Sequence, residues 1–326
     1  MTCFVRFVKQ DKGAALVTVL LLVTVMSLGA VLTFDAMGFS IKRTSALRTY
    51  DQARQYAMGG EQLAASVAET LNETKSLLLE PRAVSFAIDG GRIEGLISDN
   101  SNCFNVNSLV RRQDTGVYVA NDESGRQYVR FLVALGLSDR QAGELRATLT
   151  DWIDSDERPL PLGAEDYDYA ALSEPYRTGN SLIADLSELR MIKGYEPLLL
   201  ETLAKYLCAD DSTDPSALNV NNLTAEQVPL LVALIGGNFT MDMATELILA
   251  RPGTGYKDIA DFWLDPILAG REIDQSIRQQ TTIKPHRFSS RVRVTYYDAT
   301  SHLTSEIKVD DSGLARIVRH SVGVLP

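Results

Sequence analysis

The sequence is poor in the residues that most often carry chemistry, with three cysteines and three histidines among 326 residues. The histidines occur at positions 286, 302 and 320 and lack the spacing of a metal-binding pair. The phosphate-binding loop, the dinucleotide-binding glycine fingerprint and the Gly-x-Ser-x-Gly nucleophile motif do not occur either. These absences argue against the common enzyme classes, and we predict that the protein is not an enzyme.

Long apolar runs are also scarce, since only one occurs. It extends from Ala14 to Phe34 without a charged residue, which is about the 20 residues of helix that cross the apolar core of a bilayer. Basic residues precede it at positions 6, 9 and 12, and only Asp11 offsets them. The length of this run predicts one transmembrane helix over residues 14–36. Because Lys and Arg are in excess on cytoplasmic flanks, the basic side of this helix should face the cytoplasm. The N-terminus would be cytoplasmic, and the bulk of the chain would lie in the periplasm, anchored to a bacterial inner membrane.

Charge and cysteine usage fit that location. The formal net charge is −10, which disfavours a nucleic-acid partner. Cys3 precedes the apolar run, so Cys103 and Cys208 remain as an even pair in a compartment where disulfides persist. We predict a disulfide between them, and two buried thiols are the alternative.

The junction before the apolar run, Lys12-Gly13-Ala14-Ala15, resembles the cleavage site of type IV prepilin-like precursors. The resemblance implies that prepilin peptidase removes residues 1–13 and leaves Ala14 as a methylated N-terminus. This family usually has Glu five residues into the mature chain, where this chain has Thr18. An uncleaved anchor is one alternative, and a secretory signal peptide, which has a shorter apolar region, is another.

Strand patterns flank the middle of the chain. An amphipathic stripe from Leu47 to Leu71 predicts that the first helix continues to about Leu79, before Pro81, with a loosening at Met58-Gly59-Gly60. A hairpin follows over residues 83–97, with a turn at Asp89-Gly90-Gly91. Three more strands are predicted near the C-terminus, at residues 288–297, 303–309 and 314–318.

The middle, residues 105–282, has helical patterns at 127–135, 138–154, 182–191, 197–208, 224–235 and 241–250. It contains a weak repeat, because Asn105–Leu109 matches Asn219–Leu223, and we expect Asn221 and Thr224 to cap helices. Residues 219–262 resemble a helix-hairpin-helix unit, which in DNA-binding proteins presents backbone N–H groups to phosphate. The alternative function is therefore a membrane-anchored nucleic-acid-binding protein of the DNA-uptake type. Acidic residues around Arg251 and Lys257 argue against it.

Several motifs together resemble the K subunit, a minor pseudopilin, of the type II secretion system. They are Cys103–Leu109, Asp151–Asp154, Gly163–Asp166, Pro175-Tyr176, Ser187–Arg190 and the second Asn-Val-Asn. The resemblance implies an α+β, pilin-like fold in which a long N-terminal helix packs on a small antiparallel sheet. Residues 37–104 and 283–326 would form this body, and residues 105–282 a large, mainly α-helical inserted domain with helix-hairpin-helix or SAM-like repeats. It also implies a place at the pseudopilus tip with the I and J minor pseudopilins, helping to start assembly for protein export across the outer membrane. Contact with secreted proteins is left open.

Seven carboxylates crowd the segment 151–168, which also contains two prolines and a glycine. Calcium prefers such oxygen-rich, irregular loops, although the EF-hand pattern is absent. Composition alone allows a solvated acidic loop. The resemblance favours calcium, because this subunit type binds it near such a loop. The predicted ligands are Asp154, Asp156, Glu165, Asp166 and Asp168.

Overall fold

The computed structural model describes residues 12–323. The α-helices are α1 Lys12–Glu73, α2 Asp122–Ala134, α3 Asp139–Ile153, α4 Asp166–Ala170, α5 Pro197–Leu203, α6 Val228–Ile235, α7 Met241–Leu249, α8 Ile259–Trp263 and α9 Gln275–Gln279. The strands are β1 Arg82–Ile88, β2 Gly91–Asp99, β3 Phe104–Asn105, β4 Val110–Arg112, β5 Tyr118–Ala120, β6 Leu207–Cys208, β7 Leu218–Asn219, β8 Thr281–Thr282, β9 Arg287–Tyr296, β10 Ala299–Val309 and β11 Ala315–Val322. Three 3-10 turns lie at Val106–Leu109, Leu186–Met191 and Ala225–Gln227.

Helix α1 is one unbroken element of 62 residues, roughly 93 Å long at 1.5 Å per residue. Within the described residues it is the one helix long and apolar enough to cross a membrane. It ends before the predicted position near Leu79. Lys75 adopts a left-handed φ of 51°, and the Ser76 N–H donates to the Leu71 carbonyl at 3.0 Å. This closure satisfies the last carbonyls and turns the chain away well before Pro81.

The expected loosening at Gly59 and Gly60 is wrong, because α1 continues through both. A Cβ on Gly60 would lie 2.8 Å from Cγ1 of Val292 on β9. Gly60 therefore allows the helix to approach the sheet closely. Gly59 has nothing within 4 Å of the same position.

The main sheet has five antiparallel strands in the order β1-β2-β9-β10-β11. The predicted hairpin and the three predicted C-terminal strands are confirmed. Alternate apolar side chains of β9 and β10, among them Val292, Val294 and Leu303, pack on Ala53 and Ala57 of α1. We call the opposite side, turned away from α1, the outer face of the sheet.

The chain leaves this sheet at the end of β2 and returns at the start of β9. We call residues 100–286, which contain most of the helices, the insertion. It departs from the end of the sheet where Phe288 and Ile307 pack on Ala68 and Leu71, in the last turns of α1. The insertion therefore lies at the end of the body remote from the apolar run.

The internal repeat is real in three dimensions. The first Asn of each Asn-Val-Asn segment is the second residue of a two-residue parallel ladder, β3 with β6 and β7 with β8. The buried Asn107 amide both accepts from the N–H and donates to the C=O of Ile183, and Asn221 does the same with Tyr256. Asn221 is thus a bridge between distant backbones and not the predicted helix cap, whereas Thr224 does precede the 3-10 turn Ala225–Gln227.

Two predicted helices are shorter than expected. The helix predicted over residues 197–208 ends at Leu203, because Leu207 and Cys208 are extended beside β3. The segment 182–191 forms only a 3-10 turn at Leu186–Met191. The predicted disulfide is confirmed, with Cys103 and Cys208 bonded and their Cα atoms 5.7 Å apart.

Candidate metal site

The acidic segment is folded around Asp151, which is fully buried in the last turn of α3. Its carboxylate accepts backbone N–H groups from Leu160 at 3.1 Å and Ala164 at 2.9 Å. A Cβ on Gly163 would lie 1.8 Å from Oδ2 of Asp151, so only glycine fits there. Asp151 therefore organises the loop, a role that the sequence pattern did not reveal.

Folding the loop in this way brings together Asp154, Asp156 and Glu165, three of the five predicted ligands. One carboxylate oxygen from each lies within 4.8 Å of the others. Asp154 and Glu165 are buried, and Asp156 is exposed. Among the described residues, Oδ1 of Asp154 and both carboxylate oxygens of Glu165 have no hydrogen-bond partner. Buried oxygens without partners are costly, and a cation would satisfy them.

The other two predicted ligands lie at the start of α4 and are engaged in backbone contacts. Asp166 accepts from the N–H and the hydroxyl of Thr178 at 2.9 and 2.7 Å, and these bonds lower the pKa of Asp166. Asp168 accepts from the Glu165 N–H at 3.1 Å. The structure thus places Asp166 and Asp168 outside the group of three, and Asp168 instead orients the backbone of Glu165.

The electrostatics of the group favour a positive ligand. Burial, together with the charges of Asp156 and Asp151, raises the pKa of Asp154 to about 7. Burial and the charges of Asp151 and Asp154 raise the pKa of Glu165 to about 7. Burial also raises the pKa of Asp151, to about 6, against the opposing effect of its two backbone hydrogen bonds. Ionising these groups near neutral pH therefore costs free energy in the fold, and a bound cation would offset that cost.

The donor set fits a hard cation. Calcium takes six to eight oxygen ligands, which include carboxylates in one- or two-oxygen contact, carbonyl groups and water. The three carboxylates come from two segments, the end of α3 with its following loop and the start of α4. Asp154, Asp156 and Glu165 would hold the ion, and the ion would fix the loop that joins those segments.

The helix-hairpin-helix unit of the insertion is built differently from a phosphate site. Its hairpin at Gly236 and Gly237 has positive φ values of 67° and 62°. Arg130 donates to the Ala233 carbonyl at 2.8 Å beside this hairpin. Arg251 donates to the carbonyls of Val220 and Leu223 at 3.2 and 2.9 Å. Both arginines are thus engaged with the protein backbone, in contacts that phosphate would have to displace.

Comparison with known proteins places the chain among secretion proteins. Two family models described as type II secretion system (T2SS), protein K match residues 102–211 and 218–284, and each contains one Asn-Val-Asn repeat. The type II secretion system protein K of Pectobacterium carotovorum is 34% identical over 259 residues, which are 77% of this chain and 78% of that protein. The chain belongs to the type II secretion system protein K family. The protein K of Klebsiella pneumoniae is 33% identical over 271 residues, 79% of this chain and 81% of that protein.

The fold of this protein K family member also matches a solved structure. A chain in the crystal structure of the GspK-GspI-GspJ complex from the enterotoxigenic Escherichia coli type 2 secretion system superposes with a TM-score of 0.69. The two are 26% identical, and the match covers 87% of this chain and 100% of that one. The predicted family and the predicted α+β fold are both confirmed.

Proposed function

We propose that this protein K is a minor pseudopilin that forms the tip of the periplasmic pseudopilus with the I and J minor pseudopilins and helps to start its assembly. The position of the insertion carries the proposal. It leaves and re-enters the body at the end of the sheet remote from the apolar run of α1. At a filament tip this bulk would project freely, whereas it would clash if repeated at every layer of the shaft.

The residue at position 18 supports a position of this subunit at the end of the filament. In pilin-like filaments the usual Glu at this point is thought to pair with the N-terminal amine of the preceding subunit. A buried charge without a partner is costly, and Thr18 cannot neutralise one. A subunit that lacks this Glu needs no subunit ahead of it.

Shortening the insertion tests the tip assignment. Because Asp99 and Phe288 are paired across β2 and β9, a short Gly-Ser linker can join Asn100 to His286 and close a hairpin. We expect the shortened chain to permit longer filaments and Thr18→Glu to be tolerated without gain. A label on the insertion should appear at one end of each filament. A label distributed along the shaft would contradict the proposal.

Partnership with I and J is tested separately. The full chain, extracted in detergent, should co-purify with the I and J pseudopilins of the same cell. The relative in the GspK-GspI-GspJ complex supports this expectation. Failure to recover either partner when all three are expressed together would count against it.

We further propose that prepilin peptidase cleaves between Gly13 and Ala14 and that α1 then anchors the protein in the inner membrane with its bulk in the periplasm. Residues 1–11 of the leader lie outside the described part of the chain, and the support comes from the basic leader and the apolar run that follows it. Intact mass of the membrane-extracted protein decides the matter. A mature N-terminus at Met1 or after Ala30 would refute the processing step.

Calcium is the proposed ligand of Asp154, Asp156 and Glu165. The unpartnered buried oxygens and the raised pKa values support it. Its role would be structural, holding the loop between α3 and α4. The alternative nucleic-acid function has the weaker support, because Arg251 is engaged with backbone carbonyls.

A further inference from the structure

The main sheet is basic in a chain that is acidic overall. The formal net charge of the chain is −10, yet eight of the eleven Asp, Glu, Lys and Arg residues on β1, β2, β9, β10 and β11 are basic. On β9 these are Arg287, Arg291 and Arg293, which alternate with the apolar residues that face α1. All three therefore project from the outer face of the sheet.

One half of the outer face is already covered by an acidic surface, which the insertion supplies. The basic side chains there each meet a carboxylate of the insertion. The pairs are Arg287 with Asp210, Lys308 with Asp210 at 2.7 Å, Arg316 with Asp211 at 3.4 Å and Arg319 with Asp185 at 2.5 Å. The four hydrophobic clusters of the described residues lie either in the body or in the insertion, and none joins the two. Ion pairs and hydrogen bonds therefore hold the insertion against this half of the outer face.

The other half of the outer face also carries basic side chains, but the insertion does not cover them. Arg291 and Arg293 are exposed, and no carboxylate of the described residues lies within 4.0 Å of either guanidinium. Glu94 is the cross-strand neighbour of Arg293, but it forms its ion pair with Arg92, at 3.9 Å. Two like charges on alternate residues of one strand, about 7 Å apart, thus have no ion-pair partner among the described residues.

We propose that the strip formed by Arg291 and Arg293 binds an acidic surface of a partner protein. It would do so through the same kind of ion pair that the insertion forms with the other half of this face. The matching partner presents two carboxylates about 7 Å apart, as alternate residues of an extended segment do. Arginine suits this role because its planar guanidinium binds carboxylates through two parallel hydrogen bonds. The proposal does not depend on the tip assignment.

The test uses the full chain in detergent and a fluorescein-labelled peptide with four glutamates at alternate positions, measured by anisotropy at low salt. We expect R291E/R293E to weaken binding at least tenfold. R111E/R112E makes the same charge change at two exposed arginines of the insertion and should stay within threefold of wild type. The charge-conserving R291K/R293K keeps the positive charges but loses the paired hydrogen bonds, so it should weaken binding less than R291E/R293E does. An unchanged Tm of R291E/R293E separates loss of binding from loss of folding.

Three outcomes would overturn the proposal. The first is that the wild-type chain does not bind the peptide at all, and the second is that both charge reversals weaken binding equally. The third comes from two parallel titrations, one with a DNA oligonucleotide of equal charge and one with micelles containing phosphatidylglycerol. If R291E/R293E weakens either of these tenfold and leaves peptide binding intact, the strip binds a nucleic acid or a lipid surface instead.

Discussion

Replacing Glu165 with glutamine should stabilise the calcium-free protein, although it removes a proposed ligand. Burial and the charges of Asp151 and Asp154 raise the pKa of Glu165 from 4.5 to about 7. The folded state therefore binds this proton more tightly than the unfolded state, and its contribution to stability is lost as pH rises from 4.5 to about 7. At 1.36 kcal/mol per pKa unit, ionised Glu165 costs the fold up to about 3 kcal/mol above pH 7. The glutamine variant avoids this cost.

Calcium should stabilise wild type more than it stabilises the variant. A ligand that binds only the folded state at 100 times its Kd adds about 2.7 kcal/mol of stability. For a protein of this size, that is a rise of roughly 4 °C in Tm. The Glu165→Gln variant keeps only two of the three carboxylates and should gain much less. At pH 8 the variant should thus melt above wild type in chelator, and calcium should close most of that gap.

Differential scanning fluorimetry at pH 8, with chelator and with millimolar calcium, measures both effects. The matched control is Glu157→Gln, which makes the same chemical change at an exposed carboxylate of the same loop, outside the group of three. At pH 5 the calcium effect should shrink, because protons then occupy the buried carboxylates. A wild-type Tm that does not respond to calcium, or identical behaviour of the two variants, would leave only a solvated acidic loop.

Three further predictions concern stability. Replacing both Cys103 and Cys208 with serine opens a link across 105 residues and should lower the free energy of unfolding by up to about 4.7 kcal/mol, measured by urea denaturation. An unchanged midpoint would show that the disulfide does not constrain the chain. Gly60→Ala should lower the free energy of unfolding, because its Cβ would lie 2.8 Å from the side chain of Val292 on β9. Gly59→Ala lies in open space and should raise the free energy of unfolding by up to about 1 kcal/mol through helix propensity. Equal effects would contradict the close approach of α1. Asn107→Ala leaves a buried N–H and C=O unpaired and should cost about 1–3 kcal/mol, and a neutral result would refute the bridging role.

The sequence alone identified the features that depend on neighbouring residues. The apolar run predicted α1, and alternation with an Asp-Gly turn predicted the β1–β2 hairpin, because periodicity and turn chemistry act within a few residues. The Asn-Val-Asn repeat and the even pair of cysteines also pointed to the internal symmetry and the disulfide. The family motifs then predicted the fold class.

The tertiary structure decided which distant groups meet. All five predicted ligands are acidic residues of one segment, and nothing in their spacing shows that Asp151 folds the loop while Asp166 turns to Thr178. Only the docking of the insertion pairs Arg287 with an acidic residue and leaves Arg291 exposed, although both lie on one face of β9. Local hydrogen bonding and hydrophobic periodicity determine elements, whereas the partners of a charged side chain depend on how those elements pack. That packing is set by contacts between residues more than 100 positions apart, such as Cys103 with Cys208.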